Sequence, residues 1–191
     1  MFNFAKLIKA IGKIITVTDK LITVTNKIIK VTNKTMSESI FVKGDTKQEK
    51  YENLFPQVLS VVKNEQDMFA NMANVASMLH FTFDFLWTGF YRVVENDLVL
   101  TSFQGSLACT RIKKGRGVCG TAFERETTMI VADVNKFEGH IACSSLSKSE
   151  IVVPIFKDNK VIAVLDIDSE ELNTFDETDK LWLEKICKAI F

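Results

Sequence analysis

The sequence predicts an α+β fold, with helices packed on a mostly antiparallel sheet. Three observations lead there. Apolar residues recur every three to four positions over 51–62 and again over 69–79. Five later runs are rich in β-branched and aromatic residues and are bounded by turn residues. A helical spacing then returns after Phe175. The chain has 191 residues, 47% of them hydrophobic and 25% charged, which suits one such domain with a modest extension.

The extension comes first. Residues 1–34 hold seven Lys and a single acid, Asp19, so they carry +6, while the remainder carries −6 and the total is zero. Residues 14–34 repeat a seven-residue unit three times, IITVTDK, LITVTNK and IIKVTNK. Apolar first and fourth positions give a heptad-like seam, but the Thr and Val content lowers helix propensity. A basic amphipathic segment suits a membrane surface or a partner; an undocked tail is the other reading. Lys and Thr interrupt it too often for a secretory signal. The first Arg is Arg92 and the first Ser is Ser37, unlike a mitochondrial presequence. Residues 37–46 read as a polar linker, so 1–46 is expected to lie outside a domain spanning 47–191. Met36 opens an ordinary soluble N-terminal sequence and is a candidate initiator. No run reaches the roughly 18 apolar residues of a membrane span. The balanced charge argues against a dedicated nucleic-acid binder. A cytoplasmic protein without stable membrane association is expected.

Tyr51, Leu54, Phe55, Val58, Leu59 and Val62 define one face of the first helix, which Pro56 is expected to kink or restart. The second helix runs to about Leu79 and should bury Phe69, Met72, Val75, Ala76 and Leu79. Strands are expected at 86–94, 97–102, 128–132, 150–157 and 160–167. Asn96 with Asp97, and Asp158 with Asn159, mark tight hairpins. The last helix, Phe175–Phe191, has Asp176 as its N-cap and Trp182, Leu183, Ile186 and Ile190 as its buried face.

Four cysteines follow no metal-ligand spacing: Cys109, Cys119, Cys143 and Cys187 contain no CxxC pair. No metal and no cofactor are expected. Cys109 follows GSLA after a strand. Cys119 lies in GRGVCGTA, where a short helix should start near the thiol and its backbone N–H groups favour a thiolate. Cys143 lies in the loop GHIACSS. Three thiols in such settings suit thiol chemistry; the alternative is packing as small hydrophobes. Cys187 sits beside an apolar helical stripe and reads as core.

In VIAVLDIDS, alternation puts Val161, Ala163, Leu165 and Ile167 on one face and Ile162, Val164, Asp166 and Asp168 on the other. A hairpin through Asp158 and Asn159 would set Glu150 opposite about Ile167, close to both aspartates. Three acids at one sheet end raise each other's pKa. They suit an amine-binding, proton-donating pocket, with a Mg²⁺ site or a solvated strand end as the competing uses. Trp87 and Tyr91 share a face of the first strand, with Gly89 between them leaving room above the sheet. Aromatic wall, acidic floor and nearby thiols fit a small cationic or zwitterionic substrate with a thiol-reducible centre.

Taken together, WTGFY (87–91), SFQGSLAC (102–109), IKKGRGVCGTA (112–122), ADVNKFEGHIAC (132–143), SEIVVPI (149–155), VLDIDS (164–169) and FDETDKLWLEKI resemble the free methionine-(R)-sulfoxide reductases, a group built on the GAF fold. The likeness runs from about residue 50 to the end. It departs from the pattern at Ser144, where an acidic residue is usual. The resemblance implies a GAF-like sheet of about six antiparallel strands flanked by helices, commonly a homodimer. It implies reduction of the R epimer of free methionine sulfoxide, with thioredoxin as the recycling reductant. Cys143 would attack the sulfoxide sulfur and become a sulfenic acid, and Cys109 would resolve it as a disulfide. Cys119 would be the family's third thiol, and an exchange of roles between Cys119 and Cys143 stays open. Glu150, Asp166 and Asp168 would hold the substrate amine and protonate the oxygen, with Trp87 and Tyr91 walling the S-methyl group. A non-catalytic GAF module that binds a small ligand or senses redox state is the alternative; it predicts that no cysteine is needed.

Overall fold

Helix α1, Lys47–Val62, opens on a capping box in which Thr46 and Glu49 satisfy each other's backbone N–H groups. The structure, a computed structural model, describes residues 40–141 and 143–190. The three heptads and Met36 lie outside the described residues. Phe41 already belongs to the domain, because its N–H donates to Gln57 (3.1 Å) and its carbonyl accepts from the Gln57 amide (3.0 Å). Pro56 sits on the exposed side of α1, and the helix runs through it unbroken. Buried Tyr51, Leu54, Val58 and Val62 pin the helix on both sides of it. Leu59, at the margin of this stripe, is exposed.

Helix α2, Met68–Phe83, is capped by Asp67, whose carboxylate accepts from the N–H groups of Phe69 and Ala70. It buries Met72, Val75, Ala76 and Leu79 as the spacing predicts. Phe69 is a correction: it stands in the first turn, before the stripe reaches the sheet, and is 41% exposed beneath the Arg92 guanidinium.

Six strands follow in one sheet: β1 (Trp87–Val94), β2 (Asp97–Gln104), β3 (Arg111–Lys113), β4 (Met129–Val131), β5 (Ser149–Lys157) and β6 (Lys160–Ser169). Their order is β3-β2-β1-β6-β5-β4, and every neighbouring pair is antiparallel. The β5–β6 hairpin turns on Asp158 and Asn159, both at positive φ (51° and 59°), the pair geometry that favours Asn and Asp. The β1–β2 turn falls one residue earlier than expected, on Glu95 and Asn96, since Val94 already pairs with Asp97.

Between β3 and β4 lies α3 (Gly117–Arg125), and the chain closes with α4 (Glu177–Ala189). Helix α2 packs on β1 and β2 and α4 on β5, while α3 packs on β5 and β6. Asp179 ties α4 to α1: fully buried, it accepts from the Tyr51 hydroxyl (3.0 Å) and pairs with Lys47. The side of the sheet that carries Tyr91, Val152 and Val164 shares its core with Val118, Cys119, Ala122 and Phe123 of α3. This α3 side carries the chemistry.

Candidate functional site

Register decides which side chains meet. Lys157 pairs with Lys160 and Phe156 with Val161, but Ile155 then pairs with Ala163. Ile162 is thus an extra residue in β6, a β-bulge. Because side chains alternate, a shift of one residue exchanges the two faces. The bulge therefore sets Glu150 opposite Asp168 instead of Ile167, on the same face as Asp166. It also moves Val161 from its expected company with Ala163 and Leu165 into the cluster that holds Val164.

The three carboxyls converge under α3. Glu150 and Asp166 are each 6% exposed. Burial pushes both well up from the ordinary carboxylate range, and the negative charges of their neighbours push in the same direction. Asp168 is pushed up to about 6 by burial, against the opposing effect of the Ser147 hydroxyl that donates to its Oδ1. Asp166 Oδ1 is buried without a hydrogen-bond partner among the described residues. These are acids held protonated, or sharing protons, near neutral pH.

Cys119 is the third residue of α3 and is buried at 3% exposure. Its sulfur lies 3.9 Å from Glu150 Oε1. The expected thiolate is corrected here: burial first, then the negative charges of Asp166 and Glu150, push this thiol well up. The neighbouring acids outweigh the helix end. Gly120 lets the helix sit this close, because a Cβ there would meet the carbonyl oxygen of Lys113. Ligand atoms of Cys119, Glu150 and Asp166 lie within 4.8 Å of one another, close enough to share a cation. As they stand, all three are protonated groups, a poor donor set until those protons leave.

Cys109, in the loop after β2, and Cys143, in the loop before β5, form a disulfide with Cα atoms 5.6 Å apart. Cys143 is exposed and Cys109 half-buried. Cys143 lines the same cleft as Cys119, Glu150, Asp166 and Asp168. That cleft has a volume of about 30 Å³, less than an amino acid needs. Cys187 is buried in α4 and free, in keeping with its reading as core.

Trp87 and Tyr91 share the face of the acids: Trp87 pairs with Asp168 across β1 and β6. Neither lines the cleft as it stands. The space expected above Gly89 is filled by the Trp87 indole, which a Cβ at Gly89 would strike. The indole packs on Phe103 and Tyr91 (ring centroids 5.6 and 6.0 Å) and donates to Ser106 O (3.0 Å).

Sequence reasoning missed Ser147 and Arg116, which both line the cleft. No periodicity marks Ser147. Arg116 had a local signal, since it stands at the start of the helix already expected around Cys119. That helix has no side-chain cap, and its first residues, Gly117 and Val118, also line the cleft. Its unpaired N–H groups make that end of the cleft electropositive.

A family model described as "GAF domain" matches residues 62–190. "GAF domain-containing protein A" of Dictyostelium discoideum is 54% identical over 156 residues, which is 81% of this chain and 99% of that protein. The "Free methionine-R-sulfoxide reductase" of Saccharomyces cerevisiae is 42% identical over 153 residues, covering 75% of this chain and 85% of the relative. Among solved structures, the X-ray structure of free methionine-R-sulfoxide reductase from Neisseria meningitidis in complex with its substrate matches with a TM-score of 0.79. It is 49% identical, covering 80% of this chain and 93% of that one.

Proposed function

The chain belongs to the GAF-domain family, in the group that includes free methionine-R-sulfoxide reductases, and from that premise we propose that it reduces free L-methionine-(R)-sulfoxide to L-methionine. One observation carries the reading: an accessible cysteine, Cys143, shares a cleft with three carboxyls whose pKa values are all raised. A sulfoxide oxygen leaves poorly unless it is protonated as its sulfur is attacked, and a neutral carboxylic acid near pH 7 supplies that proton.

In this mechanism the Cys143 thiolate attacks the sulfoxide sulfur while the acid cluster protonates the oxygen. Methionine leaves, and Cys143 is left as a sulfenic acid. The Cys109 thiol then attacks the Cys143 sulfur, water departs, and the Cys109–Cys143 disulfide forms. A dithiol such as thioredoxin restores both thiols. The Asp166 Oδ1 acceptor suits the substrate ammonium group, and Arg116 with the uncapped start of α3 suits its carboxylate. Cys119 acts as a neutral hydrogen-bond donor inside the acid cluster, which leaves the attack to Cys143. Trp87 and Tyr91 wall the S-methyl group once the cleft opens. The tight cleft of the disulfide form is the end of the cycle, and substrate enters when that bond is reduced. The working unit is a homodimer in the reducing cytoplasm, with 47–191 as the catalytic domain.

The test is turnover of the separate epimers with dithiothreitol. Free methionine-R-sulfoxide is consumed, the S epimer and peptide-bound sulfoxide are untouched, and Cys143→Ser abolishes the reaction. Equal turnover of both epimers, or full activity without Cys143, would favour a ligand-binding or sensing module instead.

A further inference from the structure

The reduction cycle just described leaves one surface without a role. Leu107 is 88% exposed, more than any other large hydrophobic residue among those described, and Leu146 and Ile141 are 59% and 36% exposed. Leu107 stands two residues before Cys109, Ile141 two before Cys143 and Leu146 three after it. A chain advances at most about 3.5 Å per residue, so all three Cα atoms lie within roughly 11 Å of a bonded cysteine. Two loops distant in sequence thus present apolar side chains around one accessible sulfur. Scattered exposed leucines need no explanation, but a rim around a reactive bond does. The surrounding charge is mainly basic. Arg116 and Lys148 are exposed and make no ion pair among the described residues, and Glu138 is the exposed acid on the Cys143 loop.

We propose that Leu107, Ile141 and Leu146 form the docking surface for a protein dithiol, a small acidic redox protein whose reactive cysteine stands on an apolar face. The proposal rests on reading the Cys109–Cys143 disulfide as a step of the cycle. A small thiol needs only an exposed sulfur; an apolar rim is of use to a partner that excludes water while the sulfurs exchange. The partner's thiolate attacks Cys143 Sγ, the more exposed of the two. The Cys109–Cys143 bond breaks, and Cys109 leaves as a thiolate and takes a proton. The partner's second thiol then attacks the mixed disulfide and releases Cys143. The partner loses two electrons and two protons to a disulfide of its own, and this chain gains two thiols.

The experiment uses the oxidised full chain without any sulfoxide, so its outcome is independent of the substrate assignment. Its disulfide is reduced either by thioredoxin, recycled with NADPH and thioredoxin reductase, or by dithiothreitol. Leu107→Asp and Leu146→Asp should each slow thioredoxin by about 10-fold or more while dithiothreitol stays within about twofold of the parent. Leu107→Ser, a milder change, should slow thioredoxin in the same direction. A thioredoxin without its second cysteine should be trapped on Cys143. Equal slowing with both reductants, no slowing with thioredoxin, or trapping on Cys109 would overturn the proposal. Glutathione matching thioredoxin, with neither sensitive to the variants, would assign the recycling to a small thiol.

Discussion

At the scale of the residue, the chemistry lies in three carboxyls that burial keeps from ionising. If they protonate the sulfoxide oxygen and anchor its amine, Glu150→Gln or Asp168→Asn should lower kcat/KM by about 10²-fold or more, and Asp166→Asn should do the same. Steady-state kinetics with dithiothreitol checks this; unchanged values in all three would mark the cluster as a structural acid network. The same groups shape stability. Asp168 rises from 3.8 to about 6 on folding, so the protonated form is the one the fold favours. Its contribution is complete below pH 3.8 and is lost as pH rises through 6. The melting temperature should fall over that window, and Asp168→Asn should flatten the fall. A further decline at higher pH, from Glu150 and Asp166, should persist. The period-2 pattern of LDIDS made the aspartates legible without a structure. The protonation of Cys119 was not legible, because it comes from packing on strands about 30 to 50 residues further along. Nor was the Trp87 ring lying over Gly89, since alternation gives a side chain's face but not its rotamer.

At the scale of the element, long strands announced themselves and short ones did not. The alternation in β1, β2, β5 and β6 runs over eight to ten residues, and the reading placed these strands within about two residues at each end. Strand β3 has three residues, too few to show a period, and went unseen; β4, equally short, was caught by its β-branched run and turn neighbours. The bulge was invisible too, since no Gly or Pro marks Ile162. Its importance can be measured. Deleting Ile162 should restore an unbroken hairpin register and send Glu150 to the helix-packed face, where an acid has no partner prepared for it. We expect loss of activity and a melting temperature lower by 5 °C or more, about 1 kcal/mol or above for a domain of this size. Retained activity would show that the cleft forms without the bulge.

At the scale of the whole molecule, two parts of opposite charge share one chain. The domain begins by Phe41, and its capped helices and ion-paired Asp179 are built from residues within it. A chain shortened to begin at Met36 should therefore keep full activity and nearly the same melting temperature. Loss of folding, or of more than about half the activity, would mean that the basic repeats dock on the domain, since an undocked tail adds almost nothing to stability. Any attraction between the +6 segment and the −6 remainder is screened within about 8 Å at physiological salt. The fold class was legible at this scale because helices and strands follow one another in blocks.

The extra residue in β6 also bears on how this hairpin can change over generations. Adding or removing one residue inside either strand, between the turn and the acids, swaps the parity of every position beyond it and exchanges the inside of the cleft for its outside. Length drift in this stretch is thereby confined to the bend at Asp158 and Asn159, where an inserted residue can loop out and leave the pairing of Glu150 with Asp168 untouched.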